Sequence, residues 1–471
     1  MLFHTWLFLA FFLLFYPAYI LLKSTRFKDL WLVAASYVFY GWWTPWFPLL
    51  LAWVTTVDYL AVTMMCRSRR RALWLWVSIG SDLLLLGFFK YGVFLTGHLN
   101  RVLTAGQVPF SLPEPNVLLP IGISFYVFQS MGYTLDCYHG RIEREERFTR
   151  YAAFVSFFPL LLAGPIERAG NLLPQLRCRP ALATGDLTDG LSLFVVGLFK
   201  KVALADYLAL YVDHVYAAPG EHQAPALILA TCLYSWQIYF DFSGYSDMAR
   251  GTARMLGIRV MMNFNNPYMA TGLGDFWRRW HISLSTWIRD YLFLPAYYRL
   301  ARRAVPLALP FLTADAFAFT VALSGAFLVM GVWHGASWTF VIWGLLHALG
   351  RLATRNLEAS RYYRARVPRV VKRLWVFVFV SMTWVVFRSA TVGDAITVVS
   401  RIFSTGWGDP QVPVLMILLI VAVVLYEAIF ESRRGDALEW APLRVGLVAG
   451  MVLYMAVFTS ATTRAFIYFQ F

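Results

Sequence analysis

The segment 331–347, GVWHGASWTFVIWGLLH, places a histidine in a stretch that has no acidic residue, lysine or arginine. Imidazole takes up and returns a proton near neutral pH, so His334 is a candidate general base. Gly331 and Gly335 flank it at a spacing that permits close helix packing. An interhelical hydrogen bond is the structural alternative for His334, and it is the interpretation we favour for His347. On one continuous helix the two rings would point about 140° apart and could not line one pocket.

A second segment, 276–290, has the sequence FWRRWHISLSTWIRD and combines aromatic with basic side chains. At 3.6 residues per turn, Trp277, Trp280 and Trp287 share one helix face, and the arginines lie elsewhere. The pattern predicts one amphipathic helix at the cytoplasmic membrane interface. Its arginines suit an anionic headgroup or the diphosphate of an acyl carrier such as coenzyme A. A membrane-surface anchor with an incidental His281 is the alternative.

Polar residues also end an apolar run at 238–248, IYFDFSGYSDM. Asp241, Ser243 and Asp247 lie there at membrane depth, where polar side chains are costly and tend to be functional. The alternative is that Asp241 or Ser243 caps the helix that follows.

The composition identifies the protein class in which these residues must work. Of the 471 residues, 59% are hydrophobic and 14% are charged, and the mean hydropathy is +0.58. Soluble domains carry about 25% charged residues, which excludes a soluble, disordered or coiled-coil chain. The apolar runs do not alternate with polar residues, which excludes a transmembrane barrel of strands. We therefore predict an all-α, polytopic integral membrane protein.

Apolar runs of the length that crosses a bilayer recur along the chain and predict 11 to 13 crossings. The predicted spans are 2–22, 30–41, 46–65, 72–90, 117–136, 189–212, 225–240, 307–330, 332–350, 371–388, 412–430 and 443–460. The loops on one side hold 34 of the 41 Lys and Arg residues. Basic loops are cytoplasmic, so the N-terminus is expected outside and the net charge of +15 needs no nucleic-acid partner.

Several common catalytic signatures are missing from the sequence. The four cysteines have no metal-ligand spacing, and we expect no metal site. The sequence also lacks a Walker lysine loop, a nucleophile elbow and a zinc-protease motif. A histidine inside the membrane beside a basic cytoplasmic surface suits acyl transfer from a charged thioester donor to a hydroxyl.

With these motifs in view, the chain resembles the membrane-bound O-acyltransferase superfamily, in its bacterial alginate O-acetylase and D-alanyl transfer branch. The matching stretches occur in order along nearly the whole chain. They are LPIGISFYVFQSMGY (119–133), FVSFFPLLLAGPIER (154–168), YFDFSGYSDMA (239–249), NPY with FWRRWHISLSTWIRDYL (266–292), GVWHGASWTFVIWGLLH (331–347), WVVFR (384–388) and FIYFQF (466–471).

The resemblance implies a fold, a site and partners. The fold would be one membrane domain, a helical ring around a central tunnel, with N-terminal helices in 1–116, a catalytic core in 117–350 and C-terminal helices in 351–471. His334 would be the general base and His281 the second catalytic histidine. Candidate substrate-binding residues are Trp277, Arg278, Arg279, Trp280, Ser283, Arg289, Asp290, Asp241, Ser243, Asp247 and Trp333. The chain departs from the family after Leu292, where Arg299, Arg302 and Arg303 replace a glycine-rich loop.

We therefore expect an enzyme of the bacterial inner membrane that binds no resident cofactor. It would move an acetyl or other short acyl group from acyl-CoA or an acyl carrier protein, across the membrane, to a hydroxyl of an extracellular polysaccharide such as alginate. A periplasmic transferase would be its partner. Peptidoglycan, cellulose and teichoic acid are alternative acceptors. A transporter, in which Asp58 and Asp82 are the mid-span acids of interest, and a non-catalytic recruiting subunit are the alternative functions.

Overall fold

A computed structural model describes residues 1–178, 182–304, 313–408, 411–432 and 440–458, together with Arg464, Phe466 and Ile467. Every regular element in these ranges is helical, which confirms the predicted all-α class. The chain divides into two compact units. Unit 1 contains Met1–Leu191 and Ala249–Met261, and unit 2 contains Ser192–Met248 and Met262–Phe471.

Unit 1 is built from the N-terminal helices. They are α1 (Trp6–Leu22), α2 (Lys28–Gly41), α3 (Phe47–Arg67), α4 (Arg71–Ala105), α5 (Ile123–Tyr138), α6 (Phe148–Val155), α7 (Phe158–Leu161) and α8 (Ala169–Arg177). Aromatic side chains fill the contact between α1, α2 and α7. The ring of Phe158 lies 5.1 Å from Phe15 and 5.5 Å from Phe39, centroid to centroid. Burial of such rings is a main source of stability in an apolar core.

Two helices run through both units. They are α9 (Thr184–Phe199), which continues through a π-helical turn (Lys200–Ala205) into α10 (Asp206–Ala217), and α11 (Ala224–Met255). Glycines let α9 and α11 approach closely. A Cβ on Gly197 would lie 2.7 Å from the backbone nitrogen of Met248, and one on Gly190 would lie 2.7 Å from the carbonyl oxygen of Gly251. Small residues at such crossings are the usual means of close packing in membranes.

The remaining helices belong to unit 2. They are α12 (Leu273–Arg279), α13 (Ile282–Ile288), α14 (Leu294–Ala304), α15 (Ala314–His334), α16 (Trp338–Ala359), α17 (Arg361–Arg366), α18 (Arg369–Arg388), α19 (Val392–Ser404), α20 (Val414–Phe430) and α21 (Ala441–Phe458). A second π-helical turn, Arg289–Phe293, joins α13 to α14.

Within the described ranges, five helices are long and apolar enough to cross a membrane. These are α3, α4, α15, α18 and α21, and α1 and α20 are shorter apolar helices. The chain is thus a multi-pass membrane protein. The predicted total of 11 to 13 crossings stays a prediction, as does the division at residues 116 and 350.

The predicted close packing around Gly331 is confirmed, and its partner lies on the next helix. A Cβ on Gly331 would collide with the carbonyl oxygen of Phe340, and one on Gly344 would collide with that of Phe327. The Cα of Gly331 lies 3.6 Å from the position of a Cβ on Gly344. The backbones of α15 and α16 therefore touch at these two glycines.

Alanine at position 331 tests this contact. In Gly331→Ala the new methyl group meets backbone, which cannot move aside, so we expect the melting temperature in nanodiscs to fall by several degrees. Gly325→Ala is the matched control, because it lies on the same helix with no atom within 4 Å of its Cβ position. Its melting temperature should stay or rise, since alanine favours a helix by about 1 kcal/mol over glycine. Equal melting temperatures for the two variants would contradict the close contact.

Candidate functional site

His334 is the last residue of α15, and the chain breaks there before α16 begins. Gly335 is extended, and the hydroxyl of Ser337 accepts a hydrogen bond from the backbone nitrogen of Thr339 as the N-cap of α16. The single helix over 331–347, on which the two histidines would diverge, is therefore absent. Because α15 and α16 pack together, the ring of Trp343 lies 5.0 Å from His334 and 4.9 Å from His347.

The position of the proton on His334 follows from one hydrogen bond. Its Nδ1 lies 2.7 Å from the carbonyl oxygen of Met330, and the side chain is buried. A carbonyl oxygen only accepts hydrogen bonds, so we infer that Nδ1 carries the proton. The neutral ring then has its basic lone pair on Nε2. Nε2 is therefore the nitrogen of His334 that could accept a proton.

Aromatic rings enclose His334. Centroid distances are 5.1 Å to Trp333, 5.0 Å to Trp343 and 5.3 Å to Phe387. Such a shell keeps bulk water from the ring and makes polar interactions inside it stronger than in water.

His281 lies at a break between α12 and α13. Its φ of +42° is in the left-handed region, which costs a residue with a Cβ on the order of 1 kcal/mol or more. Asn263 holds the turn. Its side-chain oxygen accepts hydrogen bonds from the backbone nitrogen of Ser283 at 3.1 Å and from its hydroxyl at 2.7 Å, and its nitrogen donates to Ser246. The backbone oxygen of Asn263 also accepts a hydrogen bond from Ile282.

The structure brings the two candidate catalytic histidines to the same tryptophan. The Trp333 ring lies 5.8 Å from His281 and 5.1 Å from His334, and the two histidines are close enough to interact electrostatically. The ring of Phe242 also packs against His281, with the two centroids 4.6 Å apart. His281, Trp333 and His334 thus form a buried centre, which we call the histidine centre.

The prediction of one amphipathic helix over 276–290 is wrong. The turn at His281 divides the segment, and its tryptophans pack inside the protein instead of along one lipid-facing stripe. Trp280 is buried 5.1 Å from Trp384, and Trp277 lies 5.0 Å from His347.

The predicted arginines differ in their surroundings. Arg278 and Arg289 are the exposed ones, with side chains 72% and 56% accessible, and each has one neighbouring aspartate, Asp275 and Asp290 respectively. Arg279 is more enclosed and pairs with both Asp275 and Glu431. A bound anion would therefore meet Arg278 and Arg289 most easily.

The predicted residues of α11 form ion pairs. The carboxylate of Asp241 lies 2.7 Å from Lys201 and accepts a hydrogen bond from the backbone nitrogen of Ile467, and Asp247 lies 2.7 Å from Lys200. Ser243 is buried nearby. The capping alternative is wrong, because α11 continues without a break to Met255.

His347 and Asn263 also lie close to the candidate histidines. His347 donates to or accepts from Thr383 of α18 at 3.0 Å, which confirms the favoured interhelical hydrogen bond. Asn263 was not predicted, although it forms more hydrogen bonds to the histidine turn than any predicted residue. Asn263 lies in NFNNPY, four residues before Pro267. A stretch rich in asparagine that ends in proline is a common turn signal, and it carries no sign of this long-range role. No group of three metal-binding side chains occurs in the described part of the chain.

Comparison with known proteins identifies the family of this chain. The profile of the membrane-bound O-acyltransferase family matches residues 143–391, which include both histidines. The chain is 38% identical over 408 residues to a probable alginate O-acetylase of Pseudomonas aeruginosa, covering 84% of this chain and 74% of the relative. It is 38% identical over 444 residues to the corresponding protein of Azotobacter vinelandii, covering 90% and 84%. It is 32% identical over 406 residues to a peptidoglycan O-acetyltransferase of Helicobacter pylori, covering 80% and 74%.

Replacement of Asn263 tests the hydrogen bonds that hold the histidine turn. Asn263→Ala removes two hydrogen bonds to Ser283 in a buried site, which costs about 1–3 kcal/mol. We expect a clear fall in melting temperature. Asn265→Ala, an exposed neighbour, should change stability by less than about 0.5 kcal/mol. If both variants melt like the wild type, Asn263 does not hold the turn.

Proposed function

The chain belongs to the membrane-bound O-acyltransferase family, and from this premise we propose that it acetylates a polysaccharide outside the cell from a cytoplasmic thioester. The observation that carries the mechanism is the buried His334, with a hydrogen-bonded Nδ1 and an aromatic shell. Among the acceptors, alginate has the strongest support, because the relatives that cover most of this chain are named alginate O-acetylases. Peptidoglycan is the second candidate, from the Helicobacter pylori relative.

The proposed reaction needs one base and no metal. Nε2 of His334 takes the proton of the acceptor hydroxyl, and the oxygen attacks the thioester carbonyl carbon. The new C–O bond forms and the C–S bond breaks. The departing sulfur then takes the proton from the imidazolium, which restores the neutral base. His281, against the same tryptophan, orients the donor or a partner group.

The donor in this proposal approaches from the basic side of the membrane. Acyl-CoA and an acylated carrier protein both carry phosphate on the arm that ends in the thioester. Arg278 and Arg289 are exposed and can bind phosphate oxygens through paired N–H groups. The concentration of Lys and Arg on one side supports a cytoplasmic position for this face. The proposal therefore has the protein in the bacterial inner membrane with its N-terminus outside.

The proposed acceptor side involves a second protein. A polysaccharide is too large to enter a buried centre enclosed by tryptophans, so the hydroxyl that His334 activates would belong to a chain end or to a side chain of a periplasmic transferase. That partner would then acylate the polymer. Asp241 and Asp247, being held in ion pairs, shape the interior and do not contact the donor in this scheme.

His334→Ala tests the base. With purified protein in nanodiscs and radiolabelled acetyl-CoA, we expect label transfer or thioester cleavage to fall by about 10²–10⁴-fold, the usual contribution of a general base. The melting temperature should change little, because the shell of rings remains. His139→Ala, an exposed histidine, is the control and should keep full activity. Transfer at the normal rate by His334→Ala would exclude this base.

The double variant Arg278→Ala, Arg289→Ala tests the donor-binding face. We expect the KM for the donor to rise about 5- to 30-fold, since each of the two lost phosphate contacts weakens binding by roughly 0.5–1 kcal/mol at an exposed site. The value of kcat should stay within a factor of two. Arg361→Ala, an exposed arginine of another basic segment, should leave both constants unchanged. An unchanged KM in the double variant would mean that the donor binds elsewhere.

A further inference from the structure

Unit 1 buries two carboxylates that the proposed acyl transfer does not use. Asp58 of α3 and Asp82 of α4 both lie in helices long and apolar enough to cross the membrane, and their exposed fractions are 0% and 1%. The two side chains interact with each other electrostatically. A charged side chain at membrane depth is costly and is rarely kept without a partner.

Hydroxyl groups from three helices, α4, α5 and α6, lie around Asp58. Ser78 donates to Oδ1 at 2.6 Å, and Ser130 of α5 donates to Oδ2. Each of these two hydroxyls also contacts a second hydroxyl. Ser78 lies 3.0 Å from the hydroxyl of Thr134, and Ser130 lies 2.7 Å from that of Tyr151 of α6. All these ligands are oxygens. Oxygen shells of this kind suit hard cations and protons, not soft metals.

Asp82 is the observation that points to a ligand. It lies one turn after Ser78 on α4, so it faces the same group. Neither of its carboxylate oxygens accepts a hydrogen bond from a hydroxyl, amide or cationic group in the described part of the chain. Its polar partner is the carboxyl group of Asp58, and a hydrogen bond between two carboxyl groups requires a proton on one of them. Among the described lysines, arginines and histidines, none forms an ion pair with Asp58 or Asp82. Lys90 of α4 is two turns further along and lies 3.5 Å from the hydroxyl of Ser124.

Two adjacent buried carboxylates cannot both stay ionised without a positive charge. The hydrogen bonds from Ser78 and Ser130 solvate only Asp58, and the desolvation of Asp82 alone would cost several kcal/mol. We propose that Asp58 and Asp82, with the hydroxyls of Ser78, Ser130 and Thr134, form a binding site for one exchangeable monovalent cation, a proton or Na⁺. The cation joins α3, α4 and α5, and its binding raises the stability of unit 1.

The titratable side chains that face the pair are Tyr126 from α5 and Tyr151 from α6, and Lys90 lies two turns further along α4. Phenols ordinarily titrate near pH 10, outside the tested range. Lys90 is unchanged in Asp82→Asn, so a response between about pH 5.5 and 8.5 that this variant loses belongs to the pair.

The test uses the full chain in nanodiscs of zwitterionic lipid, with melting followed by tryptophan fluorescence. One series adds NaCl at pH 8 against N-methylglucamine chloride of equal ionic strength. The other varies pH from 5.5 to 8.5 without Na⁺. For Na⁺ as the ligand, the wild-type melting temperature should rise by about 5 °C at saturation. If the ligand is a proton, the wild-type melting temperature should not change with Na⁺ and should rise by a similar amount as the pH falls.

Asp82→Asn separates the site from general salt and pH effects. Asparagine keeps the shape of the protonated side chain and removes the charge. This variant should therefore melt near the cation-saturated wild type, and its melting temperature should no longer change with Na⁺ or pH. Glu143 is an exposed acid of the same unit, and Glu143→Gln should respond to Na⁺ or pH like the wild type. The proposal is overturned if wild type and Asp82→Asn respond equally to both series.

A measurement on the wild type alone guards against a variant that does not fold. Infrared difference spectra report the C=O stretch of a protonated carboxyl group. If the proton is the ligand, this band should disappear as the pH is raised; if Na⁺ is the ligand, adding it should shift the carboxylate bands at constant pH. Spectra without either change would exclude the site. Acyl transfer does not enter any of these measurements, so their outcome is independent of the proposed function.

Discussion

Two glycines, Gly331 and Gly344, let the backbones of α15 and α16 touch, and the position of the candidate base depends on that contact. A side chain at either position would push the helices apart. His334 ends α15 only three residues after Gly331, so any such shift would move its ring away from Trp343 on the facing helix. Packing therefore orients the ring, and the carbonyl oxygen of Met330 fixes the proton on Nδ1.

The second histidine is positioned by a different means. His281 adopts a left-handed backbone conformation that helix formation would avoid, and Asn263 compensates with hydrogen bonds to the next two residues. The strained backbone of His281 and the hydrogen bonds from Asn263 lie at the turn that brings the His281 ring to Trp333. Strained backbone of this kind is concentrated at functional sites because the surrounding structure has to stabilise it.

These two breaks also show how far the sequence could predict the structure. Composition and hydropathy predict the helical membrane class, because they depend on sums over many residues. The break after His334 has local signals, a glycine after the helix end and a serine before the next helix, and it could have been found. The break at His281 has none. It depends on Asn263, 18 residues earlier, and helical periodicity alone continues straight through it. The candidate histidines were thus predictable, whereas their geometry required the tertiary contacts.

Two pairs of buried carboxylates in this chain differ in their surroundings. In unit 2, Lys201 lies 2.8 Å from Asp206 and 2.7 Å from Asp241, so one covalently attached cation serves two buried carboxylates. Asp58 and Asp82 in unit 1 pose the same electrostatic problem, and the described residues supply only hydroxyl groups. Lys201 supplies one positive charge for two carboxylates, and this charge is part of the chain. The described residues pair no cation with Asp58 or Asp82, so in our proposal the positive charge comes from solution and the stability of α3, α4 and α5 depends on the conditions at the membrane. The contrast between the two pairs is the physical reason to treat the first as structural and the second as a binding site.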